Sequence, residues 1–129
     1  MAPEPEDIRR TINGYAEHMT AGDKDAWLAL FAPDATIEDP VGSEVRTGID
    51  GAGAFWDFTR SLSARIELTL TGPVRVAGDE AAFPFTIIST VGDDRYRLDV
   101  IDTMSFDDQG RIRSMRAFWD MADMRPADG

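Results

Sequence analysis

The stretch Arg95-Tyr-Arg-Leu-Asp-Val-Ile-Asp-Thr-Met-Ser-Phe106 alternates as a β-strand and places one carboxyl group on an apolar face. Successive side chains of a strand point to opposite faces of its sheet. Asp102 therefore shares its face with Tyr96, Leu98, Val100, Met104 and Phe106. A carboxylate that faces an apolar core is costly unless it is paired, hydrogen-bonded or protonated. Asp99 points the other way, toward arginines and hydroxyls, and needs no such account.

The composition predicts a single acidic globular domain over residues 1–129. The chain is 43% hydrophobic and 29% charged, and 24 acidic against 13 basic residues give a net charge of −11. This charge argues against nucleic acid or an anionic membrane as partner. No apolar run approaches the roughly 20 residues that span a bilayer.

Two residue types that are absent or rare in this chain, cysteine and histidine, limit which metal sites and disulfides it can form. There is no cysteine, so no disulfide framework or thiolate metal site is expected, and the single histidine, His18, excludes a multi-histidine metal site. The acidic, proline-containing N-terminus differs from a secretory signal. A cytoplasmic protein without a metal is therefore expected.

Helical spacing of apolar residues occurs in three segments. It predicts helices over residues 6–21, 24–31 and 48–62, the first with Ile8, Ile12, Tyr15 and Met19 inward. Alternation with a period of two predicts strands over residues 35–39, 65–71, 81–91, 95–106 and 111–121. In the last of these, parity puts Arg111, Arg113, Met115, Ala117, Trp119 and Met121 on one side.

Three helices ahead of a run of antiparallel strands predict an α+β fold, because no regular βαβ alternation is present. Residues from about 122 to 129 are expected to form a flexible tail.

Tyr15, Asp39 and Asp102 are polar residues on faces that the patterns place inside. Each also has a structural explanation: a tyrosine at the rim of the core, an aspartate that caps a turn before Pro40, and a buried hydrogen-bonding aspartate. Together they suggest a dry pocket with two carboxyl groups in different environments, an arrangement that separates a base from an acid. Asp39, at a strand end, is the better base, and Asp102 the better neutral donor.

Four segments resemble bacterial ketosteroid isomerase (steroid Δ-isomerase), of the nuclear-transport-factor-2-like superfamily. They are Ala35-Thr-Ile-Glu-Asp-Pro40, Leu70-Thr-Gly-Pro-Val-Arg75, Leu98-Asp-Val-Ile-Asp102 and Gly110-Arg-Ile112, in the same order as in that family. The likeness runs from the first helix to about Trp119.

The resemblance implies a cone-like fold, with three N-terminal helices in the concave face of a strongly curved, mostly antiparallel sheet, and a homodimer. It implies conversion of Δ5-3-ketosteroids to their Δ4 isomers without a cofactor. Asp39 matches the general base that moves a proton from C4 to C6. Tyr15 and Asp102 match the pair of donors to the C3 oxygen of the dienolate. Ketosteroid isomerase is itself the established example of a carboxylic acid held neutral by an apolar site.

The resemblance also implies an apolar wall suited to a rigid steroid. The matching positions are Phe55, Phe83, Phe85, Met115, Ala117 and Trp119. Two further positions, Phe31 and Trp56, replace tyrosines that support the oxyanion tyrosine in some family members. Tyr15 is therefore expected to lack that hydroxyl network.

Two other functions fit a chain of this superfamily. One is a polyketide cyclase, a dehydratase or an epoxide hydrolase. The epoxide hydrolases of this fold use an Asp–Arg–Asp arrangement, whereas Arg95 and Arg97 lie opposite Asp102 by parity. The other is a non-catalytic small-ligand-binding module, which has no need for a carboxyl group on the inner face at position 102.

Overall fold

Three helices, α1 (Pro5–Ala21), α2 (Lys24–Leu28) and α3 (Gly48–Leu62), occur where helical spacing predicts them. The structure is a computed structural model that describes residues 2–127. Acidic residues in the first turn of α1 favour its start because they face the positive end of the helix dipole. Gly22, with a φ of 75°, ends it in the left-handed conformation that glycine adopts readily. The first and third helices agree with the predicted ranges within a residue.

The second helix is shorter than predicted, and Phe31 belongs to a strand. Asp23 caps α2 by accepting a hydrogen bond from the backbone N–H of Ala26. The helix ends at Leu28 because the next residues are taken up by the sheet: the Leu30 carbonyl accepts from Ile112 N–H, and Phe31 opens strand β1 (Phe31–Glu38). Pairing with a distant strand thus overrides the local helical spacing.

In the described part of the chain the sheet has eight strands and is open. After β1 come β2 (Arg46–Thr47), β3 (Arg65–Leu70), β4 (Arg75–Ala77), β5 (Glu80–Val91), β6 (Asp94–Phe106), β7 (Ile112–Phe118) and β8 (Arg125–Pro126). The order is β2-β1-β7-β6-β5-β3, with β4 on β5 and β8 on β6. Among the strands of residues 2–127, β1 and β7 alone pair in parallel, and the other pairs are antiparallel. The α+β prediction is confirmed, while the cone-like curvature stays a prediction.

Strand β6 follows the predicted parity. Leu98, Val100, Asp102, Met104 and Phe106 are buried, and the alternate residues between them are not. The pairing with β5 runs without a break from Val91–Asp94 to Glu80–Ser105, which keeps the two faces distinct over the whole strand. The inward position of Asp102 is therefore confirmed.

Strand β7 departs from the predicted parity at its start. Ile112 is fully buried and Arg113 is exposed, although simple alternation puts Arg113 on the side of Met115. The register against β6 shifts between Ser105 and Phe106, so one residue of β7 is extra there. A bulge of this kind reverses the faces on one side of it. From Met115 to Ala117 the prediction holds.

The segment after Trp119 forms defined structure. A 3-10 helix (Met121–Asp123) is capped by Asp120, and β8 then pairs with β6. The backbone N–H of Ala127 donates to the Arg95 carbonyl, and the Arg125 guanidinium lies 2.9 Å from an Asp99 carboxylate oxygen. Residues 122–127, which the sequence assigns to a flexible tail, are thus ordered, and residues 125–127 pair with β6. Residues 128–129 of the predicted tail lie outside the described part of the chain.

Helices and sheet bury a common core. Its largest fully buried side chains include Trp27, Phe83, Phe85, Phe106, Ile8 and Ile12. None of the helices within residues 2–127 is both long and apolar enough to cross a bilayer.

Candidate active site

A cavity of about 420 Å³ lies between α1, α3 and the inner face of the β3–β5–β6 sheet. Its volume is in the range of small-molecule sites. Most of its wall is apolar, from residues that include Phe55, Leu62, Leu68, Phe85, Leu98 and Val100. Phe58 and Leu62 are about half exposed as single residues, yet both line this cavity, which explains the apolar side of α3 that helical spacing predicts.

Tyr15 reaches the cavity from α1. Its side chain is 2% exposed, and its ring lies 5.8 Å from that of Trp27, centroid to centroid. Burial raises the pKa of the Tyr15 hydroxyl well above its usual value, and the nearby carboxyl groups of Asp102 and Asp39 raise it further. The phenol is thus held protonated, as a hydrogen-bond donor at the cavity wall.

Asp39 lines the same cavity from the end of β1. The chain is fixed there on both sides, because β1 pairs with β7 up to Glu38 and the Val41 N–H donates to the Ala117 carbonyl. The indole N–H of Trp119 donates to Asp39 Oδ1 at 2.6 Å. Burial raises the pKa of Asp39 above its usual value, and this hydrogen bond opposes the rise because it favours the ionised form.

Asp102 lies at the centre of the sheet, on the same inner face of β6 as the cavity-lining Val100, and is not itself among the lining residues. It is paired with Phe83 on β5 and Ala117 on β7, and it is fully buried. Within residues 2–127, neither of its carboxyl oxygens has a hydrogen-bond partner. A buried polar group without a partner costs about 1–3 kcal/mol, so its presence needs an explanation outside stability.

The charge state of Asp102 follows from this environment. Burial raises the pKa of Asp102 well above its usual value, and the carboxyl group of Asp39 raises it further. The neutral acid is the favoured form, and a neutral acid carries an O–H donor. The site therefore joins two donors, a phenol and a neutral acid, to a second carboxyl group whose hydrogen bond from Trp119 favours its ionised form. This is the combination needed to move a proton next to a developing oxyanion.

Of the eight predicted wall residues, Phe55, Phe85 and Trp119 line the cavity. Phe83, Met115 and Ala117 are fully buried beside Asp102 and form a layer behind the wall. Phe31 and Trp56 lie in the core, where both rings contact Trp27, at 4.6 and 5.1 Å. Trp27 thus packs against Tyr15 as well as against both of these rings.

Sequence reasoning missed two features of this site. The Trp119–Asp39 hydrogen bond was missed because Trp119 was treated as an apolar wall, although an indole N–H is a donor. Met124 lines the cavity although the sequence assigns it to the tail, and Met121 lines it from a 3-10 helix rather than from the predicted strand. Among residues 2–127 no three metal-ligating side chains cluster.

Comparisons with known proteins agree on the kind of domain. Residues 12–115 match the SnoaL-like domain family. The chain is 37% identical over 118 residues to the steroid Δ-isomerase of Nocardioides simplex, which is 92% of this chain and 94% of that protein. It is also 30% identical over 124 residues to the epoxide hydrolase LasB of Streptomyces lasalocidi, which is 84% of this chain and 40% of that protein.

Two solved structures share the fold. The epoxide hydrolase/cyclase-like enzyme SalBIII, which takes part in pyran ring formation in polyether salinomycin, has a TM-score of 0.87 and 25% identity, over 95% of this chain and 98% of that one. RV0760c from Mycobacterium tuberculosis has a TM-score of 0.84 and 25% identity, over 94% and 96% of the two chains. The fold thus occurs in proteins with different activities.

Proposed function

We infer that this chain, which belongs to the SnoaL-like family of the nuclear-transport-factor-2-like fold, is a cofactor-independent steroid Δ-isomerase. Its substrates are Δ5-3-ketosteroids and its products the conjugated Δ4 isomers. The identity of 37% to a steroid Δ-isomerase over nearly the whole of both chains supports this activity over others of the fold.

One observation carries the proposal: a fully buried aspartate without a hydrogen-bond partner among residues 2–127, beside a buried phenol and a second carboxyl group. A fold has no structural use for Asp102 in that place. An enzyme that must donate to a developing oxyanion has one, because a neutral acid in an apolar site is a strong donor that costs no reorganisation. Ketosteroid isomerase is the established example of that use.

The proposed reaction assigns one role to each of the three residues. The Asp39 carboxylate takes a proton from C4 of the bound ketone, which leaves a dienolate with negative charge on the C3 oxygen. Tyr15 and Asp102 donate hydrogen bonds to that oxygen and stabilise it. Asp39, now protonated, returns the proton to C6, so that no proton is gained or lost overall.

The surroundings of Asp39 suit this double use. Burial raises its pKa, which makes the carboxylate a stronger base, and the Trp119 hydrogen bond opposes the rise because it favours the ionised form that starts the reaction. The apolar wall suits a rigid steroid and excludes the water that would compete for the two donors.

The test is the growth of conjugated-enone absorbance from 5-androstene-3,17-dione. The wild-type enzyme should turn it over, and Asp39→Asn should lose at least about 100-fold in kcat, within the usual contribution of general-base catalysis. Asp34→Asn is the matched control, because Asp34 is an exposed aspartate on the same strand. Turnover by the wild type at the background rate would contradict the proposal.

The second candidate function is an epoxide hydrolase or cyclase, favoured by the identity to LasB and by the likeness to SalBIII. The position of Arg97 counts against this function, because an Asp–Arg–Asp arrangement would need an arginine beside Asp102. Arg97 borders the cavity, but its guanidinium donates to Asp99 on the outer side of β6, whereas Asp102 is buried on the inner side. Turnover of a panel of epoxides, with none of the steroid, would favour this function instead.

We also propose a homodimer formed through the outer face of the sheet. Ile101 and Phe118 are paired across β6 and β7, and they are 53% and 44% exposed. Ile88 lies on the same side of β5 and is half-buried. Analytical ultracentrifugation at micromolar concentration should give twice the chain mass, and Ile101→Glu should give a monomer. A monomeric wild type would contradict the proposal.

A further inference from the structure

The outer end of the cavity carries hydroxyl groups that the proposed isomerisation does not use. Three of them, those of Ser63, Ser89 and Tyr96, belong to residues that line the cavity. All three residues are half-buried. Among residues 2–127, none of these hydroxyls has a hydrogen-bond partner in the protein. They differ in this from the lining hydroxyl of Thr59, which donates to the Trp56 carbonyl.

The position of these hydroxyls follows from the strand register. Along β5 and β6 the inward pairs run Phe83–Asp102, Phe85–Val100, Ile87–Leu98 and Ser89–Tyr96. Ser89 and Tyr96 are therefore directly opposite each other, at the far end of the ladder from Asp102. Ser63 ends α3 beside them, since the next residue, Ala64, donates its backbone N–H to the Thr90 carbonyl.

The separation between the two ends suits an elongated ligand. Asp102 and Tyr96 are six residues apart along β6, so their Cα atoms lie about 20 Å apart at the rise of a strand. Between them the inward side chains are apolar: Val100 and Leu98 on β6, and Phe85 and Ile87 on β5. The lining thus has hydrogen-bonding groups at two ends and an apolar middle.

We propose that Ser89 and Tyr96, with Ser63, form a second subsite that binds an oxygen function at the end of the substrate remote from the reacting ketone. The proposal rests on the proposed function and narrows it: the preferred substrates are Δ5-3-ketosteroids that carry a ketone, a hydroxyl or a short oxygenated chain at the far ring. Hydroxyl groups both donate and accept, so they serve any of these oxygens. Arg97, which also borders the cavity, is engaged by Asp99.

The experiment compares two substrates that differ only in the remote oxygen, 5-androstene-3,17-dione and 5-androsten-3-one. For the wild type, kcat/KM should be about 3- to 10-fold higher for the dione, the net effect of one or two neutral hydrogen bonds. Tyr96→Phe and Ser89→Ala should each reduce this ratio, and the double variant should bring it close to one. Ser61→Ala, an exposed serine of α3 whose hydroxyl donates to the Phe58 carbonyl, is the control and should keep the wild-type ratio.

A binding measurement separates this inference from the proposed function. Fluorescence titration with equilenin and with its 17-deoxy analogue gives the same ratio as dissociation constants, without turnover. A wild type that binds both equally, or variants that leave the preference unchanged, would overturn the subsite even if isomerisation occurs. A preference that disappears in the double variant supports the subsite even if turnover is absent. Far-ultraviolet circular dichroism of each variant confirms that it is folded.

Discussion

Replacing Trp119 with Phe tests how the base of the site is tuned. The indole N–H of Trp119 donates to Asp39 at 2.6 Å, and this hydrogen bond favours the ionised carboxylate while burial favours the neutral acid. Removing the donor leaves the effect of burial unopposed. The pKa of Asp39 should therefore rise, and at acidic pH a smaller fraction of the enzyme should carry the ionised base.

The size of the change follows from the strength of the lost bond. A hydrogen bond to a charged group is worth about 1.5–3 kcal/mol, and one pKa unit corresponds to about 1.4 kcal/mol. The acidic limb of the kcat/KM profile should therefore move up by about one to two pH units. Below both pKa values this is a loss of about 10- to 100-fold, which is recovered as the pH rises past the new pKa.

The assay is a pH profile of kcat/KM for wild type and variant. Trp119 also forms part of the wall, so Trp119→Phe is expected to lower the whole profile somewhat; the position of the limb is what reports on Asp39. Trp56→Phe is the matched control, because Trp56 packs on Trp27 in the core and should leave the limb in place. A limb that stays put or moves to lower pH in Trp119→Phe would refute the reasoning.

The remaining predictions concern β6. Asp102→Ala should lower kcat by about 100- to 1000-fold, the usual effect of losing one oxyanion donor. Asp99→Asn should change kcat less than about twofold, because Asp99 bonds to Thr86, Arg97 and Arg125 on the outer side. Equal losses of kcat in the two variants, measured by steady-state kinetics, would contradict the assigned roles. Asp102→Asn should change the pH dependence of stability. The folded pKa of Asp102 is raised, so its contribution is fully present below the unfolded value of about 4 and is lost as pH rises toward the folded value, by about 1.4 kcal/mol per pH unit. Denaturant unfolding between pH 4 and 8 should show the wild type losing stability relative to Asp102→Asn over this range, and parallel curves would speak against a raised pKa.

Period-two parity succeeded where pairing is uninterrupted. Asp102 could be placed on the inner face from the sequence because β6 pairs with β5 through its whole length without a bulge. The same reasoning failed at Arg113, since the bulge opposite Ser105 and Phe106 arises from contact between two strands and leaves no mark in either one. Alternation along a strand therefore predicts the face of each side chain correctly only where the pairing with the partner strand has no bulge.

Long-range contacts account for the other differences. Phe31 has helical spacing but lies in β1, because β7 supplies backbone partners for that segment. Local propensity carries no information about such a partner. The segment that holds Met124 is likewise fixed by Tyr96, Arg97 and Asp99 of β6, each of which precedes its partner by more than twenty residues.

The candidate site could be assembled from the sequence only in part. Tyr15 and Asp39 line one cavity, and Asp102 lies close enough to both to affect the pKa of Tyr15 and to respond to Asp39. The wall was less accessible to sequence reasoning, because whether a buried residue faces a cavity or a neighbouring side chain depends on depth. Parity gives the face of a residue and not its layer, so Phe83 and Phe85 share a face while only Phe85 reaches the cavity.

The parallel pairing of β1 with β7 has a consequence for how activity is acquired during folding. It joins Glu38 to Arg116, 78 residues away, whereas β5 and β6 are joined by a tight turn. Closing a long loop is entropically costlier and slower than zipping a hairpin. Asp39 directly follows this late pairing, so strand formation should run ahead of the recovery of turnover in a refolding experiment. A chain with a complete β5–β6 hairpin but without this pairing would still be inactive.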